Sequence, residues 1–297
     1  MSRDIRTVID GLTFTECPRW HDDRLWFVDF YTHRVLSVTE NGADLRTEAE
    51  VPEQPSGLGW LPDGRMLVVS QRDQRILRRE SDGTLTTHAD LSDVVSSQLN
   101  DMIVDTSGRA WVGNFGFDLM AGDPVAPTSL HRVDPDGSVH LAASDMWFPN
   151  GSVVTAGGRT LLVDETLGNR ISAFDIADDG GLGRRRTWAS FGPLPTETDQ
   201  EKALGELSVA PDGCALDAEG CLWIADALGG RAIRVREGGE IVDEVSPGTG
   251  VYACGLGGSD GKTLYLCAAP DFLEHNRRAA REGAILATTV EVGASGS

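Results

Sequence analysis

Five side chains of this 297-residue chain, Glu16, Ser56, Asn100, Asn150 and Asp212, stand just ahead of short apolar stretches and carry oxygen donors. Asn100 precedes Met102-Ile103-Val104, and Asn150 precedes Gly151-Ser152-Val153-Val154. Two carboxylates and two carboxamides make an all-oxygen set. That is the chemistry of a hard divalent cation, and Ca²⁺ tolerates irregular coordination by about six to eight oxygens, water included. Ca²⁺ is the first expectation, with Zn²⁺, Mg²⁺ and Mn²⁺ as alternatives. Neither His nor Cys shares these positions, which weighs against a dedicated zinc or copper centre. Taken singly, Asn150-Gly151 and Asp212-Gly213 read equally well as turn dipeptides. Four such residues sharing one position point instead to a common cation.

That position is defined by a repeat. A tight turn rich in Asp and Gly, a β-prone run, a polar gap and an Arg before a second apolar run recur along the chain. Copies start at His21 (HDDRLWFVDFYTHRVLSV), Pro62 (PDGRMLVVSQRDQRILRR), Thr106, Ala156, Ala218 and Ser259. The residue just before each first apolar run serves as an anchor: Arg24, Arg65, Arg109, Arg159, Cys221 and Lys262. Counting back nine residues gives Ser56, Asn100, Asn150, Asp212 and Ala253, and the shorter first turn, counted back eight, gives Glu16. Units of about forty residues plus insertions, each too small to bury its own faces, predict an all-β fold. The expected architecture is a six-bladed β-propeller with a central metal site, forming one domain over 1–297. The segment 5–9 has no repeat of its own and is expected to close the last blade as its outer strand. Only 273–282 reads as helical. The acidic stretch 190–210 reads as a solvated loop, and the insertion 114–128 as a lid over the channel.

Composition narrows the partners. Acids outnumber bases by 46 to 26, a net charge of −20, so nucleic acid and anionic membrane surfaces are not expected partners. No apolar leader and no stretch of about 18 apolar residues occurs. Five cysteines without a CxxC pair suggest reduced thiols and a cytoplasmic protein, expected as a monomer or weak homo-oligomer. The six histidines pair with no Ser or Cys in a recognisable motif, and there is no G-x-S-x-G elbow and no Walker loop.

From about Thr15 to Ala269 the chain resembles the SMP-30/gluconolactonase/luciferin-regenerating-enzyme-like family. The resemblance is carried by FTECPRWHDDRLWFVD, QPSGLGWLPDGR, LNDMIVD, FPNGSVV and APDGCALDAEGCLWIAD. It implies that the residues of the E-x-P-x-W, N-D, N-G and P-D-G segments surround one divalent cation. Here these are Glu16, Asn100, Asn150 and Asp212. It also implies hydrolysis of sugar lactones or other lactones and, in a more distant branch, of organophosphate esters. A bound metal would polarise the lactone carbonyl. Asp212 is the candidate general base or nucleophile, with attack by a metal-bound hydroxide, and Asp212 a ligand only, as the alternative.

One departure bears on the substrate. Where the sugar lactonases of the family are expected to carry an arginine, two residues before the N-D asparagine, this chain has Gln98, so a less polar ring is expected. The lid carries Phe115, Phe117 and Asp118, and Phe148 stands just before Asn150. With Gln98 these are the candidate substrate-binding residues for a small-molecule lactone or ester. Glu165 is a further candidate for the channel. A non-catalytic Ca²⁺-binding or interaction propeller and a phosphotriesterase-like hydrolase are the competing readings. A strictosidine-synthase-like condensation is disfavoured, because the chain has neither a disulfide pattern nor a secretory signal.

Overall fold

Runs such as Met66–Ser70 (MLVVS) and Leu222–Asp226 (LWIAD) are fully buried along all five residues. They are too short to be helices, they are rich in apolar side chains, and a glycine turn precedes each. Gly64 and Gly220 hold those turns at φ +84° and +78°, a left-handed geometry that costs glycine nothing because it lacks Cβ. The computed structural model describes residues 3–155 and 157–295. Ala156, where the fourth repeat begins, and the two residues at each end of the 1–297 span lie outside them.

The strands form six four-stranded sheets. In five of them the strand order follows the chain, as in Pro149–Val154, Thr160–Glu165, Arg170–Asp175 and Arg186–Ser190. In the sixth, Gly250–Gly257, Thr263–Ala269 and Gly283–Thr289 are joined by Arg6–Leu12, which pairs antiparallel with Gly283–Thr289 as the outer strand.

Two compact units contain three sheets each. The first is Met1–Pro55 with Asp212–Ser297, the second Ser56–Pro211. The core of each unit lies between neighbouring sheets. In the first unit Leu25, Phe27, Tyr265 and Ile285 make one layer, and Trp223, Val251, Leu264 and Leu266 another. In the second, Leu67, Ile76, Leu99 and Val112 make one layer, and Trp111, Leu130, Val163 and Phe174 another. Each such side chain, fully buried, contributes about 1.5–3 kcal/mol of apolar transfer. A single sheet has nothing to bury these faces against, so the repeats stabilise one another.

Helix Glu274–Ala280 falls inside the segment read as helical. A second helix, Gln200–Gly205, corrects the reading of 190–210 as a solvated loop. Asp199 caps it by accepting from Lys202 N at 3.2 Å, and its Ala203 is fully buried. No helix among the described residues is long and apolar enough to cross a membrane. All five cysteines are buried, and none of them forms a disulfide.

Candidate functional site

Glu16, Ser56, Asn100, Asn150 and Asp212 are each the second residue of the first strand of a sheet: Thr15–His21, Pro55–Trp60, Leu99–Val104, Pro149–Val154 and Pro211–Leu216. Ladder pairing breaks at this level. It is irregular between Leu99 and Met102, between Pro149 and Ser152, and between Glu16 and Arg19. Such bulges re-aim side chains and concentrate beside functional sites. Three non-glycine residues here adopt the left-handed backbone, Cys17 at φ 54°, Gln54 at φ 72° and Phe148 at φ 57°. For a bulky aromatic that conformation is costly and must be held in place by its surroundings.

In the second unit the three polar residues of this level are joined by hydrogen bonds. Ser56 Oγ donates to Asn100 O at 2.8 Å, and Asn100 Nδ2 donates to Pro149 O at 3.2 Å. Asn150 Nδ2 donates to Thr166 Oγ1 at 3.2 Å, and that hydroxyl in turn donates to Pro211 O at 2.8 Å. The polarity of these bonds fixes both carboxamides. A carbonyl can only accept, and the single hydroxyl proton of Thr166 is spent on Pro211, so each asparagine must present its NH₂ to that partner. The two Oδ1 atoms therefore face the other way. Neither accepts a hydrogen bond from the described residues, although both side chains are about nine-tenths buried, at 7% exposure.

In the first unit, the strand Gly250–Gly257 lies between the strands that carry Glu16 and Asp212. A Cβ on Gly213 would sit 2.5 Å from Ala253 Cβ, and one on Gly255 would sit 2.7 Å from Pro18 O. Only glycine permits so close an approach on either side. Asp212 is 9% exposed and Glu16 half-buried. The count of nine residues lands on Ala253, but the ladder places Tyr252 at this level. Val251 pairs with Ala268, and the irregular step that follows contains Tyr252, as the corresponding steps contain Asn100 and Asn150. Regular pairing then runs from Ala253 to Gly257, whereas elsewhere it covers only Met102 to Val104 or Ser152 to Val154. The longer ladder displaced the count by one residue. An aromatic hydroxyl beside a counted position was the only signal in the sequence.

Residues of the insertion 114–128 join one apolar cluster. Phe115, Phe117 and Phe148 pack with Val125, Leu167 and Ala203. The rings of Phe115 and Phe148 stack at 4.6 Å, and Phe117 lies 5.9 Å from Phe148. The stretch 190–210 is tied to this insertion: Val125 N donates to Thr198 O at 2.7 Å, and Gln200 Nε2 to Asp123 O at 2.8 Å. Gln98 is half-buried, and its carbonyl accepts from Phe115 N at 3.0 Å. Asp118 stands apart from the rings. It is exposed and uses Oδ1 to accept from Met120 N and Ala121 N in the lid's own turn.

Glu165 is fully buried. It accepts from Trp147 N, from Arg170 Nε and Nη2, each at 2.9 Å, and from Ser172 Oγ. Its role is thus to anchor the turn that carries Phe148 and Asn150.

Among the described residues, no three or more His, Cys, Asp or Glu side chains group to hold a metal. The oxygen set here contains only two carboxylates, and its carboxamide oxygens are the feature that suits a hard cation. Residues 14–270 match the model of the SMP-30/Gluconolactonase/LRE-like region. The chain is 27% identical to regucalcin of Danio rerio over 86% of its length and 82% of that protein. It is 25% identical to 6-deoxy-6-sulfogluconolactonase of Pseudomonas putida, over 93% of this chain and 91% of the relative. A solved luciferin-regenerating enzyme superposes with a TM-score of 0.80 at 21% identity, covering 99% of this chain and 98% of the other. This likeness makes the six sheets the blades of an all-β six-bladed β-propeller.

Proposed function

Because the chain belongs to the SMP-30/Gluconolactonase/LRE-like family, we propose that it is a metal-dependent carboxylic ester hydrolase that opens a lactone ring. In this reading Glu16, Asn100, Asn150 and Asp212 hold one divalent cation, Ca²⁺ foremost. The observation that carries it is the forced orientation of the two carboxamides, whose NH₂ groups are engaged by Pro149 O and Thr166 Oγ1. When bound, the cation polarises the lactone carbonyl and acidifies a nearby water.

Asp212 turns one oxygen toward that water and accepts its proton as the new C–O bond forms at the carbonyl carbon. The ring C–O bond then breaks, the proton passes to the departing oxygen, and a hydroxy acid is released. Phe115, Phe117 and Phe148 supply an apolar wall for the ring, Gln98 contributes its carboxamide, and Asp118 shapes the lid over them. A wall of three phenylalanines favours a lactone with apolar or aromatic substituents over a polyhydroxylated one.

Acid release in a pH-stat tests the proposal. Chelator-stripped protein is assayed on aldonolactones, aliphatic and aromatic lactones and one phosphotriester, before and after adding back each cation. Turnover of a lactone that is restored by metal and lost in Asp212→Asn supports the proposal. Turnover of the phosphotriester alone would favour the phosphotriesterase reading, and no turnover of anything would leave a binding propeller.

A further inference from the structure

Five of the six sheets present an oxygen-bearing side chain as the second residue of the first strand: Glu16, Ser56, Asn100, Asn150 and Asp212. The sixth presents Tyr252, on the strand flanked by those that carry Glu16 and Asp212. Its ring is clamped. Phe14 meets it edge-on at 4.9 Å and Phe272 at 6.3 Å. Tyr31 OH donates to Phe272 O, and Asp271 beside it is paired with Arg277 at 3.2 Å. Gly250 completes the clamp, because a Cβ there would lie 2.8 Å from the tyrosine hydroxyl.

So held, Tyr252 is only 8% exposed, yet its hydroxyl makes no hydrogen bond to the described residues. The hydroxyl oxygen is not among the buried unpartnered atoms, so it lies at the accessible edge of the clamped ring, open to water or a ligand. Aromatic packing accounts for the ring but leaves the hydroxyl unexplained, since phenylalanine would fill the same space.

We propose that Tyr252 is a substrate-contacting residue whose hydroxyl donates a hydrogen bond to the ring oxygen of the lactone. The proposal rests on the lactonase reading above. The carbonyl oxygen is the natural partner of the cation, so the oxygen left needing a donor is the one that departs. As water adds and the ring C–O bond breaks, the bonding pair stays on that oxygen. The hydrogen bond strengthens as charge builds there, while the proton that finally neutralises it comes from the attacking water. The tyrosine keeps its own. Burial, and then the negative charges of Asp212, Asp271 and Glu16, push its phenol up to about 12.

The test compares Tyr252→Phe with the wild-type, metal-loaded enzyme on δ-valerolactone, which releases a basic alkoxide, and on dihydrocoumarin, which releases a phenoxide. A donor to the departing oxygen matters most for the more basic one. Expected is a fall in kcat/KM of about 100-fold on δ-valerolactone, the scale for losing one donor to developing charge. On dihydrocoumarin the loss should be about tenfold or less, the scale of an ordinary hydrogen bond. Calorimetric Ca²⁺ affinity and Tm should be unchanged. Wild-type rates on both lactones would overturn the role of Tyr252 while leaving the hydrolase reading intact. Equal losses on both, with a lowered Tm, would reduce the residue to packing. A wild-type enzyme inactive on every lactone would overturn both readings together.

Discussion

Replacing Thr166 by valine removes one hydroxyl and changes no proposed ligand. In the structure that hydroxyl accepts from Asn150 Nδ2 at 3.2 Å and donates to Pro211 O at 2.8 Å, and Thr166 is 9% exposed. Valine leaves both partners unsatisfied in a nearly dry setting, at about 1–3 kcal/mol for each buried group that finds no water. We expect the metal-free protein to lose about 1–3 kcal/mol of stability, because Pro211 O is the partner with less freedom to turn. The effect on the cation differs in kind. Without its acceptor the carboxamide of Asn150 can rotate, and the fixed aim of Oδ1 is lost. Orientation worth about 1.4 kcal/mol is tenfold in affinity, in line with the roughly 10–100-fold cost of removing a group that orients a ligand. Calorimetric titration of Ca²⁺ into Thr166→Val and wild type, with urea unfolding of each without metal, separates the two effects. A Ca²⁺ affinity within about twofold of wild type in a stably folded variant would refute the argument from carboxamide orientation.

Three further outcomes follow from the same geometry. Glu165→Leu takes the partner from the half-buried Arg170 and the acceptor from Trp147 N; urea unfolding should show a loss of about 1–3 kcal/mol, and no loss would contradict the anchoring role. His131 is 4% exposed with Nδ1 unpartnered, and burial holds its pKa below the usual imidazole value. Below pH of about 6.5 the unfolded chain therefore takes up a proton that the folded one refuses. Stability should fall as the pH drops from there toward the folded-state pKa, and the Tm of His131→Leu should be flatter across pH 5–8; an equal slope would exclude this residue as the cause. Phe115→Ala removes the stacked partner of Phe148; its KM for aromatic lactones should rise more than for aldonolactones, and a uniform rise would argue against an apolar wall.

Much of the architecture was legible because it repeats. A β-prone run after a tight turn rich in Asp and Gly recurs six times, and each recurrence became a sheet. Counting from the turns found the second residue of five first strands, since most hairpins share one length. The count slipped at Ala253, where the ladder is longer and the bulge is smaller. Ladder length is decided by pairing between strands and leaves no mark on local composition. Helix Gln200–Gly205 escaped for a similar reason. Six residues in an acidic stretch carry almost no periodicity, and what stabilises them is the burial of Ala203 against the lid phenylalanines. Glu165 read as a channel residue because an acid at the end of a strand often points to solvent. Arg170, five residues on, turned it into a buried ion pair.

The claim at the centre of the account is that Glu16, Asn100, Asn150 and Asp212 serve one cation. Isothermal titration of Ca²⁺ into chelator-stripped protein tests it most directly, with Glu16→Gln and Asp212→Asn as companions. A single site is expected in the wild type, weakened at least about 100-fold in each variant by the loss of an anionic ligand. No binding in the wild type, or binding that both variants retain unchanged, would contradict it.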